Sequence, residues 1–339
     1  MLPANTKPLV DALVSPAIQT TIDAHSIDLD AIVICIGVRT AICKAGKGAF
    51  KSIYSDELLV PVLQEVMKRA PDVPMEAIGD VVVGTCLQPG GGQAMARMAA
   101  LQAGYPHTVP VMTVNRQCAS GLQAIASVAD AIRSKSYGSG TFVHGRSSSS
   151  SSSSDSNGNR STIFPAAPPL QVQLGVAAGV ESMSTCPMED AAPIANWAGI
   201  KKHRAAAACM IPMGVTSENI ARKYNISRQD MDAYALESHR RASLAQEKGH
   251  FDAEIVSIYA QYSKDGRGGG AGAGGGAAGK GEDMIDGGIR KTCSLEGLAA
   301  LKPVFVPKGG TTTAGACVLH PAACVLLLCP VCCTRCAGF

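Results

Sequence analysis

The stretch Val109 to Ile132, VPVMTVNRQCASGLQAIASVADAI, joins two patterns of different period across a short polar turn. Val109, Val111, Met112 and Val114 are apolar and β-favouring, as a strand buried on both faces requires. Beyond the turn, Leu122, Ile125, Ala129 and Ile132 fall at i, i+3, i+7 and i+10, one face of an amphipathic helix. Cys118 is therefore expected at a strand-to-helix junction. There the first helical amides and the positive end of the dipole favour a thiolate over a thiol, while small Ala119 and Gly121 leave room for an electrophile. Such a thiolate is a competent nucleophile. Position alone also leaves open a packed, inert cysteine, because free cysteine is among the most buried residue types.

Outward from this unit the chain alternates strand and helix signals. Residues 31–37 (AIVICIG) and 80–84 (DVVVG) read as strands, and 56–69 and 93–103 as helices, the first of them accommodating Pro61. A further strand is expected over 172–183 (VQLGVAAGVESM). Thr216 and Ser217 can cap a helix through Lys223, and Ser227 to Asp230 is a capping-box pattern opening another that ends near Lys248. Glu254 to Tyr259 reads as a last strand. This alternation predicts an α/β fold, a largely parallel sheet with helices on its faces.

Two segments interrupt the alternation. Residues 138–171 contain eight consecutive serines, Ser147 to Ser154, and a Pro-rich stretch, a composition expected to be disordered. Residues 259–285 are rich in glycine and alanine and read as a flexible insert. With no helical pattern after the glycines, a phosphate-cradling loop is not expected.

With 339 residues, 46% of them hydrophobic, the chain can bury one large core or two moderate ones. A net charge of +3 with scattered Lys and Arg argues for neither nucleic acid nor an anionic membrane surface as partner. The longest apolar runs, such as 322–329, fall well short of a membrane span of ~20 residues. Of 13 cysteines, six (Cys317, Cys324, Cys329, Cys332, Cys333 and Cys336) crowd the end of the chain. The others are irregularly spaced with no secretory signal before them, which points to a reducing compartment. The overlapping C-x-x-C pairs between Cys329 and Cys336 have the local spacing of a zinc site but no knuckle around them, so no metal is expected. Residues 1–29 read as an N-terminal extension with no Arg and only Lys7, unlike a mitochondrial presequence. Neither a peroxisomal N-terminal signal nor the C-terminal tripeptide is legible.

The string Val114-Asn115-Arg116-Gln117-Cys118-Ala119-Ser120-Gly121-Leu122-Gln123-Ala124 closely resembles the nucleophile segment of thiolases, particularly 3-ketoacyl-CoA thiolases of peroxisomal and plant type. Further segments are similar in the same order: Val38-Arg39-Thr40, Gln93 to Gly104 with Arg97, Gly179 to Met183, Pro212 to Asn219, and Leu298 to Phe305 leading to Thr311 to Gly315. The resemblance implies one thiolase-like αβαβα layered half with a mostly parallel mixed sheet over 30–258, a partial loop domain at about 184–250, and a remnant of the coenzyme A loop at 286–315. By the same resemblance Cys118 is the acyl-thioester nucleophile, Met213 walls the active site, and Ala314 and Gly315 belong to the loop along the pantetheine. The implied reaction is thiolytic cleavage of a 3-ketoacyl-CoA in fatty-acid β-oxidation, with coenzyme A as co-substrate and no permanently bound cofactor. A homodimer and a peroxisomal location are implied likewise.

The sequence departs from the family after Gly315. The segments that supply a thiolase with its activating His, its oxyanion Asn and a second, acid–base Cys are not found, so the second half is expected to be absent. His320-Pro321 stands where the family has no catalytic His, and His239 reads as a solvated helix residue. Residues 316–339 read as an aberrant Cys-rich tail. The serine insert, the glycine insert and this tail share the abruptness of translated intron or out-of-frame sequence, so the chain is expected to be an incomplete, inactive thiolase. A biosynthetic acetoacetyl-CoA thiolase is the alternative within enzymes, and a non-catalytic, dimerising thiolase half the alternative outside them.

Overall fold

The computed structural model describes residues 31–137, 174–188, 195–258, 284–315 and 322–330. The N-terminal extension, the serine-rich insert, nearly all of the glycine-rich insert and His320-Pro321 lie outside them. The strands are β1 (Ile32–Arg39), β2 (Ile78–Gly84), β3 (Val111–Val114), β4 (Leu174–Glu181) and β5 (Ala322–Pro330). The helices are α1 (Ser55–Arg69), α2 (Gln93–Gln102), α3 (Ser120–Arg133), α4 (Trp197–Lys202), α5 (Arg204–Ala208), α6 (Met213–Tyr224), α7 (Arg228–Glu247) and α8 (Leu295–Ala299).

The strands form one sheet in the order β1-β5-β4-β2-β3. β2 runs parallel to β3 and β4, whereas β5 is antiparallel to β1 and β4. The sheet is thus mixed, with a single reversed strand inside it. One face packs on α1 and α2 around Leu58, Leu59, Leu63, Val81, Val83, Val176 and Leu327. The other receives α3, whose Ala124, Val128 and Ile132 meet Val82, Ala177 and Leu328. Side chains alternate between these layers along each strand, which is why β2, β4 and β5 read as unbroken apolar runs.

Four sequence expectations are corrected. β3 is an edge strand with Met112 39% exposed, not a strand buried on both faces. Helix α6 begins at Met213 with Pro212 as its N-cap, so Thr216 and Ser217 lie inside it; its first turn is set by the fixed φ of proline. Ile255 makes a single parallel bridge to Arg39 and Glu254 to Ile258 is no strand, although Ile258 is buried; Tyr259 lies outside the described residues. Finally, 322–330, within the supposed aberrant tail, is an interior strand: Val325 pairs with Val38 and with Ala178, and Val325 and Leu327 are fully buried. Its apolar run is what a strand flanked on both edges and both faces needs.

Arg39, at the end of β1, holds the later segments to the sheet. It donates to Glu254 at 2.8 Å and to both oxygens of Asp286 at 2.8 and 2.9 Å, and its guanidinium lies 5.2 Å from the centre of the Phe251 ring. Asp286 also accepts from the Ile42 N–H at 2.8 Å. A planar fork on a carboxylate is the geometry in which Arg binds most strongly.

At the opposite end of β2, burial pushes the carboxyl of Asp80 up to about 6, and its Oδ1 has no hydrogen-bond partner among the described residues. A carboxyl whose pKa is raised on folding withdraws stability above the folded value and withdraws none below the unfolded value of about 3.9. Asp80→Asn is therefore expected to raise Tm at pH 7.5 by about 2–5 °C, corresponding to about 1–2 kcal/mol after allowing for partial exposure. The gain should vanish near pH 4, and thermal unfolding at the two pH values measures it.

Candidate active site

The parallel strands β2, β3 and β4 end together, Gly84 lying opposite both Val114 and Gly179. Carboxyl ends of parallel strands are where open α/β sheets bind ligands. From Val114 the chain makes a tight turn into α3. The Asn115 side chain accepts from the Gln117 N–H at 2.9 Å, and Ser120 Oγ accepts from the Arg116 N–H at 2.9 Å while donating to the Gln117 carbonyl. These bonds hold Gln117 at φ 52°, a left-handed conformation that few non-glycine residues adopt. Cys118 follows directly and is exposed, one residue ahead of the helix N-cap, Ala119. The expected junction is thus found, and Cys118 is exposed, not packed in the core.

Gly84 brings the helix close to the sheet. A Cβ there would collide with the backbone of Ser120 and Gly121, and Gly121 and Gly179 approach each other across the same seam. With no side chains between them, the first turn of α3 rests on the ends of β2 and β4. Cys118 opens onto a cavity of about 510 Å³ lined also by Thr85, Cys86, Glu181, Met183, Met188 and Met213. Methionine thioethers give it a soft, adaptable apolar wall.

Of the residues singled out in the sequence, Cys118 and Met213 meet at this cavity, and Met213 is 65% exposed at its mouth. Ala314 and Gly315 are not part of its lining; they belong to the segment 284–315. That segment is bound to α6 and α7, since Glu218 accepts from the N–H groups of Thr311 and Thr312 at 2.8–3.0 Å, and Arg228 donates to the carbonyls of Leu298 and Leu301. Burial alone would raise the Glu218 carboxyl, but the hydrogen bonds from Thr311 and Thr312 hold it below its usual range. His239 is no solvated residue: its ring bonds the backbone of both Arg290 and Gly315.

Sequence reasoning missed Glu181 and Cys86. Glu181 ends β4 and accepts from the N–H groups of Cys86 and Leu87 and from the Thr85 hydroxyl at 2.8–3.2 Å, fixing the cavity wall opposite Cys118. Burial raises its pKa against those bonds. Cys86 contacts the Gln117 side chain at 3.5 Å, and burial, then the charges of Glu181 and Cys118, push its thiol upward, which keeps it protonated near neutral pH. The available signal was register: Thr85 and Glu181 both stand just at the ends of strands flanking the Cys118 turn. Among the described residues no cluster of His, Cys, Asp and Glu could hold a metal ion, and no helix is long and apolar enough to cross a membrane.

The family model described as thiolase, N-terminal domain, matches residues 32–164 and 170–331. The match runs through β5, consistent with that strand's place in the sheet. 3-Ketoacyl-CoA thiolase 1, peroxisomal, of Arabidopsis thaliana is 39% identical over 292 residues, 84% of this chain and 54% of that protein. The peroxisomal 3-ketoacyl-CoA thiolase of Homo sapiens is 38% identical over 302 residues, 88% and 59% of the two. The chain spans about half the length of the curated relatives it matches. The dimeric peroxisomal thiolase of Saccharomyces cerevisiae superposes with a TM-score of 0.69 at 29% identity, covering 90% of this chain and 66% of that one. The Bacillus anthracis acetyl-CoA acetyltransferase gives a TM-score of 0.62 at 31% identity, covering 88% and 65%. Fold and sequence agree, and the chain belongs to the thiolase family, of which it carries the N-terminal domain.

Proposed function

We propose that this chain supplies the nucleophile-bearing half of an acyltransferase of the 3-ketoacyl-CoA thiolase type, acting in fatty-acid β-oxidation. The observation that carries the proposal is the exposed Cys118 on its strained turn at the mouth of the methionine-lined cavity. In this reading the Cys118 thiolate adds to the C3 ketone of a 3-ketoacyl-CoA. The bond between C2 and C3 then breaks, leaving an acyl thioester on sulfur, and C2 takes a proton as acetyl-CoA departs. The thiolate of coenzyme A next attacks the Cys118 thioester and releases the shortened acyl-CoA, restoring Cys118.

The other chain elements take matching roles. Met213, with Met183 and Met188, packs along the acyl chain, and Ala314 and Gly315, in the 286–315 segment, lie along the pantetheine. The helices between 195 and 250 form the loop domain that carries this segment. The exposed edge of β3 is the surface by which two copies pair as a homodimer, supported by the relative from Saccharomyces cerevisiae, which is dimeric. A peroxisomal location is supported by the relatives whose names carry it.

Incubation with an acyl-CoA should transfer its acyl group to Cys118 with release of free coenzyme A, seen as an adduct by intact mass. Cys118→Ala should form no adduct. Acylation spread evenly over other cysteines, or none at all, would sink the proposal. Gly84→Ala should cost about 1–3 kcal/mol through overpacking against Ser120, and it should slow iodoacetamide alkylation of Cys118 by about tenfold as the turn shifts. Denaturant unfolding and alkylation kinetics test the two effects separately.

A further inference from the structure

Helix α7 and the segment 284–315 meet at one imidazole that the chemistry above does not use. His239 Nδ1 lies 3.3 Å from the backbone N–H of Arg290, and His239 Nε2 lies 3.1 Å from the carbonyl oxygen of Gly315. An N–H can only donate and a carbonyl can only accept, so Nδ1 is the acceptor and Nε2 carries the proton. The two backbone partners thereby fix the orientation of the ring. Arg290 completes the arrangement by donating its guanidinium to the Ala314 carbonyl at 2.8 Å. Thr313 Oγ1 accepts from the Gly315 N–H at 3.2 Å. The carbonyls of Ala314 and Gly315 are thus both occupied from the side of His239 and Arg290, which fixes the orientation of the loop backbone.

We propose that His239 is a positioning residue for the loop that receives the pantetheine arm of a coenzyme A thioester, acting through Arg290 and Gly315. The inference rests on the assignment of Ala314 and Gly315 made under the proposed function. An acceptor and a donor at fixed separation on one rigid ring are what the site uses. Lysine and arginine offer no acceptor, and alanine offers neither group. Glutamine restores a donor near the Nε2 position, so it should recover part of what alanine loses.

The test compares the unsubstituted chain with His239→Ala and His239→Gln. Amide hydrogen exchange across 287–315 reports the loop, calorimetric titration with coenzyme A reports binding, and iodoacetamide alkylation of Cys118 reports the remote turn. In His239→Ala, exchange at 313–315 and the Kd for coenzyme A should each rise about five- to tenfold, the scale of one lost hydrogen bond. Cys118 alkylation should stay within twofold, and His239→Gln should fall between the two chains. Unchanged exchange, or an unchanged Kd where the parent chain does bind, overturns the role of His239 alone. No binding of coenzyme A by the parent chain, with Cys118 still acylated by an acyl-CoA, overturns both this proposal and the assignment of the loop. Loss of Cys118 acylation in the parent chain strikes the proposed function itself and leaves the exchange result to be read separately.

Discussion

Among the described strands, β1 is joined to the rest of the sheet through β5. Remove that antiparallel ladder and β1 has no strand partner, Arg39 loses its fixed place, and Asp286 and Glu254 lose the charge that gathers them. β5 is also packed on both faces, with Val325 and Leu327 against α1 and Leu328 against α3. A reversed strand among parallel neighbours costs nothing in hydrogen bonds, since antiparallel pairing is at least as favourable. It does require that 322–330 return from a segment bound to α6 and α7. The sheet and the loop segment are therefore one mechanical unit, tied at Arg39.

The site is built at the same end of the sheet as Arg39, toward the opposite edge. Parallel β2, β3 and β4 present their carboxyl ends together, and the Gly84, Gly121 and Gly179 seam lets α3 settle on them without side chains between. The strain at Gln117 is held by its N–H donating to Asn115 and its carbonyl accepting from Ser120, so Cys118 is exposed by backbone geometry and not by a mobile loop. Glu181 braces the opposite wall through three donors from consecutive residues. The pattern is a rigid scaffold presenting an exposed cysteine on a turn.

Much of this was legible in the sequence. The period-2 and period-3.6 patterns located β1, β2, β4, α1, α2 and α3 to within a few residues, and the Ser227 capping box marked α7 correctly. The strand-to-helix turn at Cys118 and the family followed from Cys118 and its flanks. β5 was missed because cysteine crowding and the loss of family residues after Gly315 outweighed the apolar run Ala322 to Leu328. Edge or interior placement, as for β3, depends on partners distant in sequence and leaves no local mark. The same holds for His239, whose role arises only when a helix residue meets backbone groups of a remote loop. Glu181 sat inside a recognised motif, but its three donors come from the strand end opposite.

The guanidinium of Arg39 reaches partners 215 and 247 residues further along the chain. During synthesis β1, β2 and α1 are therefore complete long before the acidic groups and the strand that secure β1 have left the ribosome. Until then β1 carries two unpaired edges, with exposed Val33 and Ile34, a template for pairing with other chains. High contact order of this kind slows folding and lengthens the exposed interval. The nascent chain is thus most vulnerable to aggregation between the emergence of β1 and the arrival of β5, an interval set by the length of the intervening sequence, which includes both low-complexity inserts.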